Sequence, residues 1–95
     1  MAVAQHRTED GCFRVSAGSD PIALATAISR SLQDAREVSA RAVGAGSVNQ
    51  AAKAVAIARG HVATAGYDLT CRIGFQTIQS RDGEISALIF RLTAE

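Results

Sequence analysis

Residues 42–60 read AVGAGSVNQAAKAVAIARG. Gly44 and Gly46 divide a short alternating run from a long alanine-rich run. Before the glycines, Val38, Ala40 and Ala42 alternate with Ser39, Arg41 and Val43, which is the period of a strand. After them, Val48, Ala51, Ala52, Val55, Ala58 and Val62 recur on one helical arc. The spacing predicts a helix from Val48 to Val62 or Ala63, with Ser47 as N-cap. Gly60 weakens its last turn, and Gly66 is a candidate C-cap. A strand that feeds a helix through a tight glycine turn belongs to an α/β chain, and the flanking sequence repeats the pattern.

Upstream, Phe13, Val15 and Ala17 alternate with Arg14 and Ser16, a first short strand. In SAGSDP (16–21), Ser19 or Asp20 can cap a helix whose first turn suits Pro21. Ile22, Ala25, Ile28, Leu32 and Ala35 then recur at helical spacing, so this helix is expected from Pro21 to about Ala35. Downstream, Leu69, Cys71, Ile73 and Phe75 form a third strand, Asp82-Gly83 signals a hairpin, and Leu88, Phe90 and Leu92 mark the last strand. Residues 1–11 show no period and are read as a flexible tail, leaving 12–95 as a single domain. The predicted order is β-α-β-α-β-β. A right-handed crossover makes the first two strands parallel, and the hairpin adds an antiparallel pair. Both helices should cover one face of a four-stranded mixed sheet, a two-layer α/β sandwich.

Hydrophobic residues make up 47% and charged residues 20%, which excludes a disordered chain. Net charge is only +1, so an anion site must arise from local clustering. Nine of the ten basic residues are arginine, favouring planar, bidentate recognition. Cys12 and Cys71 form no close pair and no signal-peptide pattern precedes them, so thiols in a reducing cytoplasm are expected. Cys71 falls in the apolar phase and is expected buried, with Cys12 more accessible at the border of the tail. Cys12, Cys71, His6 and His61 lack metal-ligand spacing. No apolar run reaches the ~20 residues of a membrane span.

Two features point to function. The turn Gly44-Ala45-Gly46-Ser47 leaves backbone N–H groups open at a helix start, where the dipole favours an anion. Asn49 and Lys53 lie one turn apart behind it and share a face. The glycine spacing is neither a dinucleotide fingerprint nor a Walker loop. A tight strand-to-helix turn explains the pattern equally well. Each strand also carries one arginine in the phase opposite its main apolar set: Arg14, Arg41, Arg72 and Arg91. With Val43, Ile78 and Ile89 they would occupy the face that the helices leave open, as a solvated face or an oligomer interface. Ile57 among polar helix residues adds a second apolar surface, so a homodimer at least is expected. Arg81 sits at the hairpin tip, placed to enter a nucleic-acid groove. No Ser/His/Asp or Cys/His arrangement can be placed, so the reading is non-enzymatic, with no cofactor, metal, membrane or small-molecule substrate.

FRVSAGSDPIALATAISRSL (13–32), VGAGSVNQAAKAVAIARG (43–60), GYDLTCRIGFQTIQ (66–79) and GEISALIFRL (83–92) together resemble the bacterial stage V sporulation protein S family. That family resembles Alba, the archaeal chromatin and RNA-binding protein. The resemblance implies an Alba-like fold and binding of DNA or RNA as a homodimer or homotetramer. It places the contacts at the helix-start loops and the final hairpin. It also implies a part in regulating sporulation and septation in the cytoplasm. Carried over by position, the candidate nucleic-acid residues are Gly44, Gly46, Ser47, Asn49, Lys53 and Arg81. This chain departs from Alba in having Asp20 in its first loop, Ala45 and Ser47 in its second, and Asp82 and Glu84 beside Arg81. An adaptor that keeps the fold without binding nucleic acid is the alternative.

Overall fold

The computed structural model describes residues 11–95. The elements follow in the order β1 (Cys12–Val15), α1 (Pro21–Asp34), β2 (Glu37–Ala42), α2 (Ala45–Ala63), β3 (Leu69–Ser80) and β4 (Gly83–Ala94). The predicted β-α-β-α-β-β order holds. The expected tail lies outside the described residues apart from Gly11.

The sheet order is β1-β2-β4-β3. β1 and β2 are parallel, as a helical crossover requires, and β4 runs antiparallel to both β2 and β3. Phe13, Val15, Val38, Ala40, Ala42, Leu69, Phe90 and Leu92 point from the sheet into the core. They meet Leu24, Ala25 and Ile28 of α1 and Ala51, Ala54, Ala58 and Val62 of α2. Small alanines on α2 let its axis approach the sheet and α1 closely, so a chain of this size can bury a continuous core.

Asp20 caps α1, accepting a hydrogen bond from the Ile22 amide at 3.0 Å, and Pro21 occupies the first turn. Ile22, read from the sequence as a core position, is exposed, because at ~100° per residue it lies off the buried arc of Leu24, Ala25 and Ile28. α2 begins at Ala45, three residues before the expected start. Its N-cap is Gly44 at φ +90°, a conformation that side chains oppose, and Ser47 is a buried residue inside the helix. The buried arc of α2 includes Ala54 in place of Ala52.

β3 and β4 are long strands paired from Leu69–Ala94 to Ser80–Gly83, whereas β2 ends at Ala42, opposite Leu88. The residues beyond that point form an arm. From Leu88 to Gly83 it projects ~17 Å past the sheet body at ~3.4 Å per residue. On the helix-facing side of β3, the outer strand, Ile73 and Phe75 are 60% and 82% exposed, because no helix reaches over them.

Several expectations of exposure are reversed. Ile57 is half-buried and packs against the core; Ile78 is half-buried, and Ile89 is 3% exposed. Ile89 lies on a central strand between Arg41 of β2 and Gly74 of β3. Cys12 is buried because it is a strand residue paired opposite Ser39, while Cys71 is half-buried on the outer strand.

Candidate nucleic-acid interface

Parallel β1 and β2 deliver both strand-to-helix loops to the same end of the sheet. Those loops are joined. The Ser16 amide donates to Ser19 Oγ at 2.9 Å, and the two hydroxyls lie 3.3 Å apart. Gln50 Nε2 of α2 donates to the Ser19 carbonyl at 2.8 Å. A Cβ on Gly46 would lie 2.9 Å from the Cβ of Ala17, closer than packed carbons tolerate. Gly46 therefore permits a contact between two loops almost thirty residues apart in the chain. Gly44 has open space around it and is required for its backbone angle.

At the start of α2, the first amide with a helical acceptor is Val48, which donates to the Gly44 carbonyl at 3.0 Å. No side chain caps this helix. The amides of Ala45, Gly46 and Ser47 thus form the positive end of a long helix. Asp20 caps the start of α1, its carboxylate engaged with the Ile22 amide of its own helix. Asn49 Nδ2 donates to Gln50 Oε1 at 3.1 Å, so Asn49, Gln50 and Ser19 form a chain of hydrogen bonds across the two loops.

The structure brings Gly44, Gly46, Ser47 and Asn49 together. Lys53 is exposed at nearly the azimuth of Gly46, since seven residues advance ~700°. It stands ~10 Å further along the axis, because the helix starts earlier than expected. Lys53 and the amides can meet one extended polyanion, but not one phosphate. Arg81 is at the tip of the arm, where Ser80 Oγ donates to the Gly83 carbonyl at 2.7 Å and Gln79 to Glu84 at 3.0 Å. It is a separate outpost of the surface.

Sequence reasoning missed the part played by Ala17, Ser19 and Gln50. SAGS signals a turn, but only the fold shows what the turn touches. His61, which lacks metal-ligand spacing in the sequence, is exposed. His61 Nδ1 is 3.2 Å from Ser29 Oγ at the edge of a cleft of about 440 Å³ that Leu32, Val62 and Tyr67 also line. This cleft lies where both helices end, so carbonyls rather than amides face it, the wrong polarity for an anion.

Burial pushes the Cys71 thiol up, so it stays protonated at neutral pH. Among the described residues, no three His, Cys, Asp or Glu side chains gather as a metal site, and no helix is long and apolar enough to cross a membrane.

The Stage V sporulation protein S (SpoVS) family matches residues 11–95. The fold is also similar to that of Alba from Thermoplasma volcanium, at 16% sequence identity and a TM-score of 0.57. The superposition covers 88% of this chain and 98% of that one, which makes the architecture Alba-like.

Proposed function

The chain belongs to the Stage V sporulation protein S family, and from that premise we propose a non-enzymatic, nucleic-acid-binding regulator of the Alba-like type. It acts in the bacterial cytoplasm, in the control of sporulation and septation. The observation that carries this reading is the uncapped start of α2, laced to the start of α1 and flanked by a projecting two-stranded arm. Backbone amides there contact phosphate oxygens, Lys53 contacts the strand further along, and Arg81 reaches a third point. Such contacts position a nucleic acid without reading its bases.

The protein works as a homodimer or a higher oligomer. Its apolar surface is the uncovered side of β3 around Ile73 and Phe75, in place of the isoleucines expected from the sequence. On α2, Val48 and Val55 share the flank of Arg59, which pairs with Asp68 just ahead of β3. They extend the same apolar surface towards the helix layer. The same exposed phenylalanine favours the second reading, an adaptor that docks another protein there.

The test is a mobility-shift titration of labelled single-stranded and duplex DNA and RNA at two salt concentrations. Binding that weakens steeply with salt supports phosphate contacts. No binding at low salt leaves the adaptor.

A further inference from the structure

The arginines on the sheet face opposite the helices form a grid that only the strand register reveals. In one row, Arg14 of β1 is opposite Arg41 of β2, Arg41 opposite Ile89 of β4, and Ile89 opposite Gly74 of β3. In the next row, Ser39 is opposite Arg91, and Arg91 is opposite Arg72. Partners in register project to the same face, so all four guanidinium groups leave the sheet on one side.

Two pairs of like charges thus stand directly opposite each other, Arg14–Arg41 and Arg72–Arg91. Such pairs are destabilising. The diagonal from Arg41 to Arg91 is only ~7–8 Å between backbones. Among the described residues one acid is at hand: Glu37 accepts from Arg72 Nη2 at 3.0 Å. Among the described residues, Arg14, Arg41 and Arg91 enter no ion pair. Four arginines and one glutamate leave the patch at +3, while the whole chain carries +1. The rest of the chain is therefore net acidic, so the positive charge of the protein is concentrated here.

The floor between the arginines is low and firm. Ile89 is buried and Gly74 has no side chain; a Cβ on Gly74 would lie 3.9 Å from both Arg91 Nη1 and Ile89 Cγ2. The Arg91 side chain thus passes beside the glycine while remaining exposed. No aromatic residue occupies this face, since Phe13, Phe75 and Phe90 are in the opposite phase. Bidentate contacts to phosphate oxygens are the strength of such a face.

We propose that this sheet face is a second nucleic-acid-binding surface, which grips the phosphate backbone of a strand through Arg14, Arg41, Arg72 and Arg91 without reading bases. For its ligand class it rests on the function proposed above; for its location it is independent of the α2 loop, since the helices lie on the other side of the sheet. An anion there offsets the repulsion within both arginine pairs.

The experiment compares wild type, the double variant Arg41→Gln/Arg91→Gln and the single variant Lys53→Ala. Each is titrated with labelled single strands of two unrelated sequences over a range of salt. The double variant should weaken both sequences alike and flatten the log–log salt slope by about 1.4, the share of two phosphates on a single strand. Its melting temperature at low salt should equal or exceed that of wild type, since two repulsions are removed. Arg41→Lys/Arg91→Lys, which keeps the charge, should restore the slope and serves as the folding control. A second arm raises inorganic phosphate against chloride at constant ionic strength. Phosphate should raise the melting temperature of wild type more than that of the double variant. A double variant with wild-type affinity and slope overturns the sheet-face site, and a weakened Lys53→Ala alongside it leaves the loop reading standing. An equal phosphate effect on both proteins also overturns it. Wild type that binds neither strand at low salt overturns this surface, and the proposed function falls with it only if duplex is not bound either.

Discussion

Ala17 and Gly46 touch so closely that a Cβ on the glycine would lie 2.9 Å from that of the alanine. Gly46 is thus a packing residue before it is a ligand-facing one. Gly46→Ala should cost ~1–3 kcal/mol through overpacking of the two loops, as measured by urea unfolding. Gly44→Ala has room for its methyl group but not the backbone angle, at φ +90° and ψ 156°. It should cost a similar ~1–3 kcal/mol by strain alone. If Gly46→Ala is neutral, the loops are not held as described.

Asp20 separates stability from binding. Asp20→Ala removes the cap on the Ile22 amide and should cost ~1 kcal/mol. Asp20→Ser keeps the cap and removes the negative charge at the start of α1, whose loop is joined to α2. It should cost less stability than Asp20→Ala and tighten nucleic-acid binding at low salt. Weaker binding by Asp20→Ser would contradict the anion site at these helix starts.

The thiols report on strand placement. Cys71 is half-buried with its thiol pKa raised by burial, and Cys12 is 5% exposed. A maleimide should label Cys71 first in the native protein, more slowly than a small free thiol at neutral pH. Its rate should climb with pH, because burial withholds the thiolate until more alkaline conditions. Faster labelling of Cys12 would place β1 wrongly.

The architecture was legible in the sequence because alternation and helical spacing are local signals. Val38–Ala42 and Leu88–Leu92 announce themselves within a few residues, and so does Asp82-Gly83. The site was only partly legible. Ser47 has the chemistry of a cap, yet the positive φ of Gly44 starts α2 three residues earlier and sets Lys53 apart from the amides. Ile89 alternates outward like any exposed residue yet is buried between Arg41 and Gly74. Phe75 alternates inward like any core residue and is exposed because no helix reaches the arm. The direct opposition of Arg72 and Arg91 is a matter of register, which no single segment encodes.

Phe75 carries the assembly prediction. Phe75→Ser removes a large exposed apolar side chain and should leave the fold intact, since it makes no core contact of the kind Phe90 makes. In sedimentation at micromolar concentration, wild type should run as a dimer or larger and Phe75→Ser should shift towards monomer. A wild-type monomer at that concentration would contradict the oligomer.

The most direct test of nucleic-acid binding is the salt dependence of wild-type affinity for labelled single-stranded and duplex nucleic acid. The account predicts that log K falls linearly with log salt, with a slope of about −2 or steeper and little dependence on sequence, as expected for three or more phosphate contacts. No binding at low salt, or an affinity that salt leaves unchanged, would contradict it.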